Sequence, residues 1–528
     1  MESEPLFYLG SIEALKRPGR KGGEMKKETK MKKEEEMKKI LPVVLCLLFF
    51  SIASVMVSTT VYATNGMNME GYGPIATGMG GASMAYDNGA AAVMNNPATL
   101  GLMPPGDRLD VSFGFLGPHV KAKDDATGES ASSSGNAYYM PAIGWVFKNG
   151  QISSGLGMFA QGGMGSEYSA DSFLAHGSGE KVRTELSVGR VLVPFAYSIT
   201  KDLSVGATVD FVWAGLDLKM ALTGLQFFNL AGMDPTTTNQ HQYGNASGSM
   251  VTAFQGIIGA LNPMNPVNWA RFDFSDSSAF TGKAKATGFG GKLGGVYKIS
   301  DDLTIGAAYH SRTALSDMET KSAKVSFNAN IDTGVASGGA PSGTYMAGTI
   351  PLTGKIQVKD FNWPQMAGIG MAYQVSSDLM IVADYKWINW ADVMKEFKMT
   401  FTVDAGQAGM AGAFDNTVLD ASLDQKWKDQ HVIMIGAGYK IDPEWTVRGG
   451  INYANNPIPD TYLNALFPAI EKTHIMVGVG YMIDKASTID ASFTYAPEVK
   501  QTSGPDAPEG ATVTHSQTNS QIMYSYRF

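Results

Sequence analysis

From about residue 107 to the end of the chain, apolar and polar residues alternate. Leu203, Val205, Ala207, Val209, Phe211 and Trp213 alternate with Ser204, Gly206, Thr208, Asp210, Val212 and Ala214. Leu379, Ile381, Ala383, Tyr385 and Trp387 alternate with Met380, Val382, Asp384, Lys386 and Ile388. Ile433, Ile435, Ala437, Tyr439 and Ile441 form a further apolar set, followed by Trp445, Val447, Gly449, Ile451 and Tyr453. A period of two predicts strands. Where two such runs meet, a phrase recurs: AYSITKDLSVG at 196–206, VYKISDDLTIG at 296–306, AYQVSSDLMIV at 372–382, GYKIDPEWTVR at 438–448 and GYMIDKASTID at 480–490. Each copy predicts a hairpin with a short polar turn. The copies are unevenly spaced, which excludes a solenoid of fixed period.

In every copy the Tyr (197, 297, 373, 439, 481) shares the parity of the apolar set and lies just inside the turn. A ring of Tyr at one height on an apolar face is the pattern of a membrane interface. A sixth short turn is expected at Asn149-Gly150 in FKNGQIS. Long polar segments at about 118–134, 162–183, 220–281, 319–350, 404–426, 456–471 and 497–513 separate the short turns. Six short turns against seven long loops predict an all-β membrane protein, a 14-stranded antiparallel transmembrane β-barrel with both termini on the short-turn side. Closure leaves no edge in lipid. A soluble sandwich or propeller does not call for this asymmetry of loops or for the girdle. The last strand, SQIMYSYRF, places Ile522, Tyr524, Tyr526 and Phe528 in one phase and ends on Phe528. It resembles the C-terminal strand of outer-membrane proteins, so Tyr524, Tyr526 and Phe528 are expected to be read by the barrel-assembly machinery.

The one long apolar run, Met37–Ala63, has a basic start at Lys38 and Lys39 and a small-residue end at Val61-Tyr62-Ala63. It reads as a signal peptide cleaved after Ala63. Residues 1–36 are charged and low in complexity, and Met31 or Met37 is the expected initiator. The only cysteine, Cys46, lies in the apolar run, and Leu45 before it does not fit a lipoprotein box. The mature chain is therefore expected to carry no disulfide and no cysteine-based metal site. Of the 41 basic and 49 acidic residues, 11 and 8 precede residue 64, which leaves the mature chain at −11. That balance argues against a nucleic-acid partner.

Residues 64–106 do not alternate. GYGPIATGMGGASMAYDNGAAAVMNNPATL (71–100) is rich in Gly, Ala, Met and Asn, and its glycines lack the Gly-Lys-Ser/Thr of a nucleotide loop. Asp87 is placed to cap a short helix over Ala90–Met94. The segment predicts a small plug, and here the sequence resembles the FadL-like outer-membrane transporters of long-chain fatty acids and hydrocarbons. The residues that carry the resemblance are Gly78, Met79, Gly80, Gly81, Ala82, Asp87, Asn96, Pro97 and Ala98. It implies a barrel plugged by an N-terminal hatch, and passive uptake of hydrophobic molecules into the bacterial outer membrane. Substrate would dock between outer loops, pass to an apolar pocket near the hatch N-terminus, and leave sideways into the bilayer. The exit would lie at a kink in the third strand, beside the Asn-Pro-Ala triplet.

On this sequence the third strand is QISSGLGMFAQ with Gly162-Gly163 after it. Gly155, Gly157, Gly162 and Gly163 are kink candidates, although glycine also serves barrel curvature. The loop 220–281 is unusually apolar. Leu225, Phe227, Phe228 and Leu230 could form one wall of an outer groove, and Phe254, Ile257, Ile258 and Leu261, at helical spacing, the other; self-packing of the loop is the alternative. Charged residues at Phe227, Phe228 and Ile258 are expected to lower uptake if the groove exists. Arg190, Asp210, Asp384, Lys386, Arg448 and Asp490 are expected to face inward, paired across the lumen or, for one base, meeting a carboxylate. The seven His residues form no local ligand set, so no metal, cofactor or catalytic site is expected. Two other functions remain open on sequence: a water-filled porin for polar solutes, and an outer-membrane lipid hydrolase. Nothing in the sequence requires more than a monomer.

Overall fold

The computed structural model describes residues 65–277, 282–504, 507 and 510–528. The expected leader and signal peptide lie outside the described residues. Residues 65–103 come first, and almost every one is buried. They form a helical turn at Pro74–Thr77 and two 3-10 turns, Gly89–Val93 and Pro97–Leu102. Strands β1 (Gly106–Asp124), β2 (Ser130–Ser132), β3 (Tyr138–Asn149), β4 (Ile152–Tyr168), β5 (Val182–Ser198) and β6 (Leu203–Thr223) follow. β7 (Gly244–Ser247) and β8 (Val267–Phe274) lie in the next loop, before β9 (Ala284–Lys298) and β10 (Leu303–His310). β11 (Ala314–Leu315), β12 (Met318–Asp332) and β13 (Tyr345–Lys359) lead to β14 (Met366–Gln374) and β15 (Leu379–Ile388). β16 (Glu396–Val403), β17 (Val418–Asp424), β18 (Gln430–Lys440), β19 (Trp445–Ala454), β20 (Thr473–Met482), β21 (Ser487–Thr502) and β22 (Ala511–Arg527) complete the chain.

The wall is a closed antiparallel cycle. β1 pairs with β3, and pairing continues through β4, β5, β6, β9, β10, β14, β15, β18, β19, β20, β21 and β22. β22 returns to β1, in register from Arg108–Arg527 to Asp124–Ala511. Among the described residues the sheet contains 22 strands, not the fourteen expected from counting turns. Most of the additional ones lie in segments expected to be polar loops: 319–350 is mostly the β12–β13 hairpin, and β8 and β17 fall in 220–281 and 404–426, while β11 and β16 lie just before such segments. Backbone groups must pair wherever strands continue, and KVSFNANID in fact alternates Val325, Phe327, Ala329 and Ile331 with polar residues, a strand signal that reading 319–350 as one polar loop passes over.

The apolar parity faces outward. Val205, Val209, Phe211, Ile369, Ile381, Ile435 and Ile451 are exposed, and the polar parity is buried. Tyr197, Tyr297, Tyr373 and Tyr439 are exposed on the same face, and Tyr481 is half-buried against Trp445. The recurring phrase has a shared hydrogen-bond plan. The N–H of Ile299, Val375, Ile441 and Ile483 donates to the carbonyl four residues on, at 2.8–2.9 Å. The residue after it caps the turn: Thr200, Ser300, Ser376, Asp442 and Asp484 accept from the N–H two or three residues later. Each turn also joins the next strand, since the N–H groups of Lys298, Gln374, Lys440 and Met482 donate to Asp202, Asp302, Asp378 and Glu444 at 2.8 Å. No helix among the described residues is long and apolar enough to cross a membrane.

Candidate functional site

The site is built where β4 leaves its neighbour. β3 and β4 pair from Asn149–Ile152 up to Ile143–Met158, and there the pairing stops. β4 runs on to Tyr168 held by β5 on one side, with a register shift between Ala160 and Gly162. The facing part of β3, Tyr138–Ala142, contains Pro141, which a strand tolerates at a free edge. The wall therefore has a window between Tyr138–Ala142 and Phe159–Gly163.

The first described residues fill the window from inside. The Gly163 N–H donates to Met67 O at 2.9 Å, and the Tyr72 hydroxyl to Gln161 O at 2.7 Å. A Cβ on Gly162 would lie 2.1 Å from Met67 O, so only glycine admits this approach. Behind them stand three buried tryptophans. Trp363 and Trp390 meet edge-on at 5.6 Å, and Trp390 and Trp427 at 5.5 Å. A Cβ on Gly66 would lie 2.6 Å from the Trp390 indole nitrogen, and the Trp363 indole N–H donates to Asn68 Oδ1 at 3.4 Å. These tryptophans were not singled out from sequence. A signal exists: each lies two or three residues beyond the upper end of β14, β15 or β18, three consecutive wall strands.

Two glycine seats hold the rest of the segment. Gly80 and Gly81 have φ of 76° and 83°, which favours glycine. Gly78–Gly80 lies on Gly436, Gly450 and Gly478 of β18–β20, where a Cβ on Gly450 would be 2.2 Å from Gly80 N. Asn96-Pro97-Ala98 lies on Gly206, Gly294 and Gly306 of β6, β9 and β10, and Asn96 Nδ2 donates to Met84 O at 2.7 Å. The triplet is thus not beside the third wall strand. Met67–Asn68 takes that place, because the seat glycines that admit Asn-Pro-Ala are on other strands. Asp87 is not primarily a helix cap either. It makes a bidentate pair with Arg108 of β1, both contacts at 2.7 Å, and this guanidinium holds its carboxyl below the usual range against the opposing effect of burial.

The other candidates divide. Gly162 and Gly163 are at the register shift, whereas Gly155 and Gly157 pair regularly with Val146 and Gly144 of β3. On the other edge Gly155 and Leu156 have no paired partner in β5 beside Pro194, which lacks an N–H. Of the inward ionisable residues, Arg190, Asp210, Asp384, Lys386 and Asp490 are buried and Arg448 is half-buried: Arg190 pairs with Asp210 and Arg448 with Asp490, each at 2.8 Å, while Asp384 accepts the N–H of Ser83 at 2.6 Å. The outer groove is not an open cleft. Phe227, Phe228 and Phe254 are buried with Phe327 and Phe414, ring centres 4.9–6.5 Å apart, and Leu230 and Leu261 are buried too. Ile257 is half-buried, and Leu225 and Ile258 are exposed. Charge at Phe227 or Phe228 would disrupt this aromatic cap, so the expected uptake test applies only to exposed positions. Leu225 lines an outer cavity of about 420 Å³ with Phe173, Leu174 and Tyr243. At the short-turn end a second cavity of about 510 Å³ lies under Ile75, Met79 and Tyr86. At the C-terminus, Phe528 exchanges backbone hydrogen bonds with Asp107, Tyr526 stacks on it at 5.7 Å, and Tyr524 is buried on the wall.

Residues 51–527 match the family described as outer membrane protein transport protein (OMPP1/FadL/TodX). The chain belongs to this family. The solved Pseudomonas putida toluene transporter TodX is 30% identical, with a TM-score of 0.70 over 87% of this chain and 99% of that one. The long-chain fatty acid transport protein of Escherichia coli O6:H1 is 24% identical over 474 residues, 87% of this chain and 92% of that protein. A Chlorobium limicola protein is 51% identical over 71 residues, which cover 13% of this chain and 34% of that protein. The family and the fold place the chain in the bacterial outer membrane as an integral β-barrel of a transport family.

Proposed function

We propose that the protein takes up long-chain fatty acids or hydrocarbons passively and releases them sideways into the outer membrane. The observation that carries this reading is the window beside Gly162, backed by Met67–Asn68 and the tryptophans. A molecule that prefers lipid to water gains by leaving through the wall rather than through a wet lumen. The strands of the closed cycle form the membrane wall, and residues 64–106 are its hatch, carried by Gly78, Gly80, Gly81, Asp87, Asn96, Pro97 and Ala98. Residues 37–63 are the signal peptide. Substrate enters beside Leu225 and Ile258, and displacement of residues 65–69 uncovers the cluster of Trp363, Trp390 and Trp427. Gly162 and Gly163 form the kink, with Gly155 and Gly157 loosening β4 below it. The protein works as a monomer without cofactor or catalysis, and Tyr524, Tyr526 and Phe528 are its assembly signal.

The test closes the window reversibly. Pro141 and Ala160 would face each other if β3–β4 pairing continued in register. In a Pro141→Cys/Ala160→Cys double variant, oxidation should abolish uptake of oleate and toluene by cells lacking their own transporter. Reductant should restore it. Unchanged uptake with the disulfide shown by mass would sink lateral exit.

A further inference from the structure

The register of β4 breaks at one residue. Ala160 faces Gly189 and Gly162 faces Val188, so Gln161 has no partner across the pair. Its side chain points into the lumen, fully buried, and accepts a hydrogen bond from Arg190 Nε. Arg190 belongs to β5 and is itself fixed: Nη1 donates to Asp210 Oδ2 at 2.8 Å, and Nη2 donates to the Thr313 hydroxyl. Space for the guanidinium comes from Gly290, where a Cβ would lie 2.8 Å from Nη1. Lys292 also holds Asp210, at 2.6 Å, so the carboxylate keeps a counter-charge without Arg190.

The contacts continue to the hatch and return. The Thr313 N–H donates to Trp363 O at 3.0 Å, and the Trp363 indole bonds Asn68. The Tyr72 hydroxyl is 3.1 Å from Asn68 Oδ1 and donates to the carbonyl of Gln161 itself. A closed ring thus runs from the bulge through Arg190, Thr313 and Trp363 to the first hatch residues and back. A bulge disrupts pairing, and the backbone groups of Phe159–Gly163 would otherwise find partners in the free edge of β3.

We propose that Arg190 is the positioning residue of the lateral exit: by clamping the Gln161 side chain in the lumen it fixes the bulge, keeps β4 off the edge of β3, and couples the window to the position of Asn68. This rests on the lateral-exit reading, and the experiment separates the two. The readout is the rate of disulfide formation between the two introduced cysteines of the Pro141→Cys/Ala160→Cys background, measured on barrels reconstituted in lipid. There it reports window closure without reference to transport. Gln161→Leu should raise the rate about tenfold, the order expected for loss of one charge-assisted hydrogen bond. Arg190→Met should do the same. Gln161→Glu keeps the acceptor and should return the rate to that of the background. A rate unchanged in the leucine and methionine variants, or raised equally in the glutamate variant, overturns the clamp. If the rates move as expected but uptake ignores the disulfide, the clamp stands and lateral exit falls.

Discussion

Glu471 shows what a single residue in the outer loop costs the fold. It is fully buried between β19 and β20, and burial pushes its carboxyl up to about 9 from 4.5. Neither carboxylate oxygen has a hydrogen-bond partner among the described residues, and the nearest base, His515 Nε2, is 3.7 Å away. A carboxyl whose native value is raised is neutral in the fold and ionised when unfolded. Stability from this group is therefore complete below about pH 4.5 and falls as pH rises towards 9. At pH 7 the penalty is up to about 3 kcal/mol. Glu471→Gln should raise the unfolding temperature at pH 7 to 8, leave it nearly unchanged at pH 4, and flatten the dependence between. A parallel pH dependence in the variant and the parent would show that Glu471 is ionised in the fold.

At the scale of the element, the hatch is held by strands that give it room. Gly450 of β19 lies under Gly80, whereas at its neighbour Gly449 the nearest atom to an added Cβ is Met476 O at 4.0 Å. Gly450→Ala must therefore shift the hatch or the strand, at about 1–3 kcal/mol, while Gly449→Ala should be close to neutral. Thermal unfolding of the two variants side by side is the measurement, and equal behaviour would mean that the hatch yields freely. The strands of the wall, their outward parity and the girdle were legible, because lipid on one side and lumen on the other enforce a strict period of two. The glycine seats were not legible: Gly436, Gly450 and Gly478 look like weak positions in a strand until the hatch is seen to rest on them. The aromatic cap was half legible. Phe254, Ile257 and Ile258 showed their helix (Ser249–Ile257), but nothing local announced that Phe327 of β12 and Phe414 of the 404–426 segment would bury the rings. The window was signalled by Gly162 and Gly163, and its position against Met67 rather than Asn96 depended on long-range packing.

For the whole molecule, the decisive contrast is between the interior and the wall. The cycle of strands is wide enough for an aqueous channel if its centre is empty, yet residues 65–103 occupy that centre. Three separate anchors keep them there: Asp87 on Arg108, the N–H of Ser83 on Asp384, and the N–H of Ala90 on Asp110 at 2.6 Å. The window beside Gly162 lies instead in the wall. A porin and a lateral transporter are thus distinguished by one deletion. Removing residues 65–103 while keeping the segment before them and the barrel should leave a protein that assembles, because β22–β1 closure and the turn ring do not use the hatch. In planar bilayers it should conduct ions strongly, and cells carrying it should become sensitive to vancomycin. The intact protein should do neither and should still pass oleate or toluene. An intact protein that conducts as well as the deletion variant would mean that the hatch leaves an open aqueous path, and the polar-solute reading would then replace the hydrophobic one.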